Sequence, residues 1–401
     1  MIDFKTLVPH NRTPWPRIKE YLCKNYEILD YFEISQYDFR LDVMSKFWER
    51  YNNFVFGPNQ RIIITQCDIQ YYLPQSKISL GLYNLFLIFN YFNIPSDFLI
   101  FLVADDSELE IRFLTKYFNL PECKNIVKLL HFEEFISSKY KKFNPVCADK
   151  IEKHFICLNG NQRPHKLDFL CLLEEKNILC KTIHSYNFKE KTEYHRIDNA
   201  SSIDFHKLEI ELVYTDPFNK SNERYTKSQD VNQAYLKHKS KFMFKNFQSG
   251  LIDIPYHERT RWETPDTQNS HFIQKAAINL VVETAINYPY PFITEKTWKA
   301  IVYSRPFLIV GPPGCLKLLQ SYGFKTFDCF WDESYDNILD TSQRLCYITT
   351  IVEKLSNLPL IQLQELVLES QEIFKHNFNN YINNFGTVVI DDIIKKLESN
   401  D

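Results

Sequence analysis

The chain has 401 residues, 44% of them hydrophobic and 24% charged, and a formal net charge of −3. That length gives two to three domains at about 150 residues each, and the ordinary balance of charge and apolar residues excludes a disordered chain. Only 8 glycines occur, which excludes collagen-like repeats, Gly-rich linkers and multi-glycine phosphate cradles.

The opening Met1-Ile2-Asp3-Phe4-Lys5 contains no apolar leader core. The longest unbroken apolar run, Phe98 to Ala104, falls far short of the ~18 residues needed to cross a bilayer. Ten cysteines occur without a single CxxC pair, so neither a zinc knuckle nor a dithiol redox motif is expected. Cys157, Cys171 and Cys329 sit in apolar stretches and are expected to be buried free thiols. A reducing, cytoplasmic compartment is the corresponding expectation.

The first half alternates strand and helix signals. Arg61 to Gln66 is a short apolar run closed by Cys67-Asp68 and predicts a strand. Tyr83 to Phe92 predicts a helix, Phe98 to Val103 a buried strand ending at Ala104-Asp105-Asp106, Glu108 to Phe118 a helix, and Asn125 to Leu130 a strand. Continuous apolar strands separated by helices point to a parallel α/β sheet. Mixed charge and turn residues from Phe143 to Lys153 mark a domain boundary.

The pattern then restarts. His154 to Leu158 predicts a strand and Asn159 to Pro164 a polar turn. Lys166 to Lys176 predicts a helix with Leu167, Leu170, Cys171 and Leu173 on one side. Leu208 to Tyr214 predicts a strand, and the Asn/Ser/Lys-rich stretch Pro217 to Lys241 a long excursion. Apolar Ala277 to Ala285 carries Glu283 near its end. A helix (Glu295 to Tyr303), a strand (Pro306 to Val310), a Gly-Pro-Pro-Gly turn and a helix (Cys315 to Ser321) follow. The tail from Thr341 to Leu397 reads as mostly helical.

The most informative stretch is Phe292-Ile293-Thr294-Glu295-Lys296-Thr297-Trp298. Thr294 is a good N-cap, which puts Glu295 and Lys296 on the first helical turn. Free backbone N–H groups and the positive end of the helix dipole suit a diphosphate there. Lys296 adds a formal charge, and a carboxylate such as Glu295 can accept from a ribose diol. The alternative is a solvated first turn with Glu295 answering the dipole.

Other groups admit more than one reading. Asp105 and Asp106, and likewise Asp68, stand at strand ends, where α/β sheets place ligands. All three are general-base candidates; Asp105-Asp106 reads alternatively as an Asp-Asp metal pair or an ordinary strand-end turn. Asp332-Glu333-Ser334-Tyr335-Asp336 is either an acceptor-facing loop or a carboxylate-rich helix start with Arg344 as its partner. Lys237 to Lys245, basic with interleaved Phe, is either a nucleic-acid contact or a solvated helix face. Gly311-Pro312-Pro313-Gly314 lacks the Gly-Lys-Ser/Thr of a P-loop, and no Gly-x-Ser-x-Gly elbow occurs.

Ile293-Thr294-Glu295-Lys296, with Val282-Glu283-Thr284 upstream and Arg305-Pro306-Phe307-Leu308-Ile309-Val310-Gly311 downstream, resembles the donor-binding motif of α1,3-fucosyltransferase-like glycosyltransferases. Thr-Glu-Lys-Thr-Trp, Gly323 to Phe327 and Asp332 to Asp336 also resemble uncharacterised viral and phage-type glycosyltransferases. The resemblance covers about residues 154 to 345.

It implies a GT-B fold: an α/β protein of two Rossmann-like domains facing a central cleft, with a helical C-terminal tail. Residues 1–150 would bind acceptor, residues 151–345 the nucleotide sugar, and residues 346–401 would form a tail packing back on the domains. The resemblance assigns donor binding to Arg163, Glu283, Thr294, Glu295 and Lys296, with Glu295 on the ribose and Lys296 and Arg163 on the diphosphate. Phe292 stands where the family has Tyr, and Thr284 where it has Asn, which leaves UDP and GDP both open.

The expected activity is sugar transfer from a nucleotide-diphosphate donor, as co-substrate, to a hydroxyl of a glycan or small saccharide. No metal or other cofactor and no membrane is expected; a viral enzyme would work in the host cytoplasm. The alternatives are a DNA-modifying glycosyltransferase acting on a hydroxylated base and a catalytically inactive binding module.

Overall fold

The structure is a computed structural model, described for residues 15–33, 51, 54–66, 80–91, 94–95, 98–103, 108–123, 125–128, 146–159, 163–186, 226–243, 270–288 and 290–400. Asp68, Asp105, Asp106 and the expected strand Leu208 to Tyr214 lie outside the described residues. The chain divides into two compact units: Met1–Glu134 with Tyr194–Asn222 and Gly386–Asp401, and Phe135–Glu193 with Glu223–Phe385. Among the described residues each carries a four-stranded, fully parallel sheet with helices, as the apolar runs predict. Among the described residues no helix is long and apolar enough to cross a membrane.

The first unit contains α1 (Trp15–Asn25), β1 (Glu27–Glu33), β2 (Gln60–Gln66), α2 (Leu80–Tyr91), β3 (Leu99–Val103), α3 (Glu108–Tyr117) and β4 (Asn125–Lys128). Its sheet order is β1-β2-β3-β4. Side chains alternate across a strand, so Ile62 and Ile64 of β2 join Leu99, Phe101 and Val103 of β3 on one face. That face is covered by Leu82, Leu85, Phe86 and Phe89 of α2 and by Ile111 and Leu114 of α3. Phe86 stacks on Phe101 with ring centroids 6.0 Å apart. Each such side chain contributes about 1.5–3 kcal/mol on burial.

The second unit runs β5 (Lys153–Asn159), α4 (Pro164–Glu175), β6 (Thr182–Tyr186), α5 (Gln229–Met243), the short α6 (Ser270–Gln274), β7 (Ala276–Val282), α7 (Glu295–Val302), β8 (Phe307–Val310), α8 (Cys315–Ser321), α9 (Thr341–Ser356), α10 (Leu360–Glu369) and α11 (Gln371–Asn379). The last helix, α12 (Gly386–Asn400), belongs to the first unit, where it packs against α1 and β4. In the second sheet the order is β6-β5-β7-β8. All seven residues of β7 are buried, which fits a central strand of a parallel sheet. Trp298 of α7 is enclosed by the rings of Phe324, Tyr381 and Phe385. Arg305, also buried, donates to the backbone carbonyls of Ile273, Gln274 and Ala276 at 2.9–3.1 Å.

Three local expectations need correction. The helix after β5 is not apolar on one side only: every residue from His165 to Leu173 is buried, because α5 and α9 pack over it. Residues 229–241 are not excursion but most of α5, whose Val231, Ala234 and Phe242 are buried. The helical spacing of these three offsets an otherwise polar composition. Cys157 and Cys171 are buried as expected, but Cys329 is exposed.

Candidate functional site at the switch of the second sheet

From β5 the chain crosses α4 to β6 on one side of the sheet; after β6 it returns to place β7 against the other side of β5. This is a reversal of strand order. In open α/β sheets ligands lodge outside the carboxyl ends of the strands at such a reversal. The residues there are those that follow β5 and β7.

After β5 the chain enters α4 through Arg163, with Pro164 in its first turn. Proline suits that position because its missing N–H would be unpartnered in any case. His165 follows, fully buried. One ring nitrogen, Nε2, lies 2.9 Å from the main-chain oxygen of Glu283, just past β7. A carbonyl only accepts, so Nε2 carries the proton and donates. Burial, and then the Lys166 charge, hold the ring pKa down to about 3; Arg163 and Lys296 push the same way, against the hydrogen bond to Glu283. The ring is therefore neutral at ordinary pH. The charges of Arg163, Lys166 and Lys296 thus all act on one imidazole, in the first turn of α4.

After β7, Glu283 is also fully buried. Its carboxylate accepts from Thr294 N at 3.1 Å, from Thr297 Oγ1 at 2.6 Å and from Thr294 Oγ1. Lys296 Nζ stands 4.0 Å away and donates to Thr284 Oγ1 at 2.9 Å and Thr294 Oγ1 at 2.8 Å. Thr294 is the N-cap residue of α7, yet its side chain makes no capping bond to that helix. Its hydroxyl turns to Glu283 instead. Gly311 makes room for this arrangement: a Cβ there would stand 3.4 Å from Glu283 Cβ and Cγ and 3.2 Å from Ile309 Cγ2.

Arg163, Thr294 and Lys296 are thereby brought to one end of the sheet, and Glu295 occupies the first position of α7. Glu283 is placed there as well, but sealed, with its oxygens engaged. It organises the start of α7 rather than facing a ligand. His165 and Lys166 were missed in the sequence. The available signal was a polar pair at the head of an apolar helix, at a strand-to-helix turn. Asn159, the last residue of β5, is fully buried and donates through Nδ2 to Cys157 Sγ at 3.4 Å. Its Oδ1 and the Nδ1 of His165 are buried without a hydrogen-bond partner among the described residues.

The acidic stretch has another role. Asp336 is buried, and its carboxylate accepts from Leu316 N and Lys317 N at 3.1 Å, capping α8 from a distance. Gly314, at φ +82°, leads into that helix. Glu333 accepts from Phe327 N at 2.8 Å. Arg344 does not pair with these carboxylates: it donates to the main-chain oxygens of Gly311 at 3.0 Å, Leu339 at 3.2 Å and Ile286 at 2.7 Å, and to that of Ile338. In the basic stretch, Lys237 and His238 bond to Glu175, and Lys241 to Glu174. Among the described residues no three His, Cys, Asp or Glu side chains are grouped to hold a metal ion.

Comparison with known proteins finds no matching family model, no matching curated protein and no matching solved structure.

Proposed function

We propose that the second unit binds a nucleotide-diphosphate sugar and that the protein is a metal-independent glycosyltransferase of GT-B design. One observation carries the reading: at the reversal of strand order the starts of α4 and α7, which bring in Arg163 and Lys296, are tied through Glu283, whose main-chain oxygen accepts from His165 and whose carboxylate accepts from Thr294 and Thr297. Two helix starts with these cations suit a diphosphate. The likeness of Thr294-Glu295-Lys296 to a donor-binding motif supports the same assignment. Thr284 keeps a polar contact at the position of the family's Asn, since its hydroxyl accepts from Lys296.

In this reading Arg163 and Lys296 hold the diphosphate and Glu295 the ribose. The sugar is displaced at its anomeric carbon by an acceptor hydroxyl, which Asp68, Asp105 or Asp106 deprotonates. The charge on the leaving diphosphate is stabilised by groups already in place, without reorganisation during reaction. A glycan or small saccharide is the preferred acceptor. The bonds of Lys237, His238 and Lys241 to Glu174 and Glu175 favour it over a nucleic acid, because they engage part of the basic stretch within the protein.

Screening UDP- and GDP-sugars for hydrolysis and transfer tests the activity, which should survive EDTA. Loss on chelation with recovery on Mn²⁺ would move catalysis to a metal site. Glu295→Gln should weaken a ribonucleotide more than its deoxy analogue.

A further inference from the structure

We infer that His165 is a positioning residue, which locks the start of α4 to the end of β7 so that Arg163 and Lys296 grip the same anion. The inference deepens the nucleotide-sugar reading and rests on it for the ligand's chemistry.

The link is a chain of contacts. Arg163 immediately precedes α4, and His165 lies in its first turn. The imidazole donates to the main-chain oxygen of Glu283. The side chain of the same Glu283 holds Thr294 and Thr297 by hydrogen bonds and pairs with Lys296. Two helix starts separated by some 130 residues of sequence therefore meet at one residue, approached through its backbone from α4 and through its carboxylate from α7.

The choice of residue fits this role. A buried leucine or phenylalanine would fill the space without leaving Nδ1 unpartnered, and a buried polar atom without a partner is costly. What histidine adds is a neutral donor of the right length. A lysine or arginine would bring a further buried charge beside Arg163, Lys166 and Lys296. A glutamine carries its amide donor at the place of Nε2; an asparagine is too short to do so.

Calorimetric titration with inorganic pyrophosphate tests the inference on the whole protein. His165→Leu and His165→Asn should each weaken pyrophosphate binding about five- to tenfold, and His165→Gln should restore most of it. A merely structural histidine would not alter the coupling between sites, so Lys296→Ala is measured in two backgrounds. It should cost about tenfold in the wild type and about twofold or less beside His165→Asn. An equal cost in both backgrounds would overturn the inference, as would glutamine behaving like asparagine, or a wild type that ignores pyrophosphate. If pyrophosphate binds with this dependence while every nucleotide sugar is refused, the lock stands and the glycosyltransferase reading fails. If nucleotide sugars bind and His165 makes no difference, the reverse holds.

Discussion

Among the described residues the two sheets have four parallel strands each and differ in strand order. In the first unit each new strand adds to the same side, β1-β2-β3-β4. In the second, β7 returns to the opposite side of β5 from β6. Only a reversal splays the two neighbouring crossovers apart and leaves a crevice between the helix starts. Buried polar residues occur in both units, Glu110, Thr115 and Asn125 among them in the first. The packed face of the first sheet is lined by Ile, Leu, Phe and Val, while the carboxyl end of the second gathers His165, Lys166, Asn159, Glu283, Thr294 and Thr297 inside the fold. Strand order, and the buried polar group after β5 and β7, thus distinguish the two sheets among the described residues.

The largest expected effect tests this contrast directly. Glu283→Ala leaves Lys296 without its carboxylate and two buried threonines without their acceptor, and should cost about 3–5 kcal/mol in denaturant unfolding. Phe101→Ala, in the packed face of the first sheet, should cost a comparable ~3–5 kcal/mol by opening a cavity. The two should then separate in function: ligand affinity at the second unit falls with Glu283→Ala and holds with Phe101→Ala. Parallel loss in both variants would erase the distinction.

A smaller effect is set by pH. His165 has a native pKa of about 3 against 6.5 when unfolded, so between these values the unfolded chain binds more protons and stability falls as the solution acidifies. The contribution lost between pH 7 and pH 5 is about 2 kcal/mol. Glu333 and Asp336, whose pKa values burial raises, act in the opposite sense. The informative quantity is therefore the difference between wild type and His165→Gln, which should lack this acid sensitivity. The smallest effect belongs to the exposed Arg112–Glu108 pair on α3: Glu108→Ala should change stability by under about 1 kcal/mol and leave ligand binding untouched.

The strands β2, β3, β4, β5 and β8 were legible in the sequence because buried parallel strands are apolar runs, as Leu99 to Val103 is, whereas Glu27–Glu33 and Thr182–Tyr186, which mix polar with apolar residues, were not. The helix Cys315–Ser321 was legible too, framed by Gly314 and the Tyr322-Gly323 turn. Strand order was not, because β5 and β7 are neighbours across more than a hundred residues and no local pattern records that pairing. For the same reason the partners of buried groups stayed hidden. Nothing near Asp336 in sequence announces that it caps Leu316 and Lys317, and nothing near Arg344 announces its backbone carbonyls. Thr294 was correctly placed at a helix start, but its hydroxyl serves Glu283, eleven residues earlier, rather than its own helix. Residues 229–241 were misread because the polar residues between Val231, Ala234 and Phe242 outnumber them.

The central claim is that the reversal in the second sheet forms a diphosphate site. Titration of the wild-type protein with UDP and GDP by calorimetry, alongside Arg163→Ala and Lys296→Ala, tests it most directly. The account predicts saturable binding of at least one nucleotide, weakened by about 1.5–3 kcal/mol in each variant. Unchanged affinity in both variants, or no binding of either nucleotide by the wild type, would contradict it.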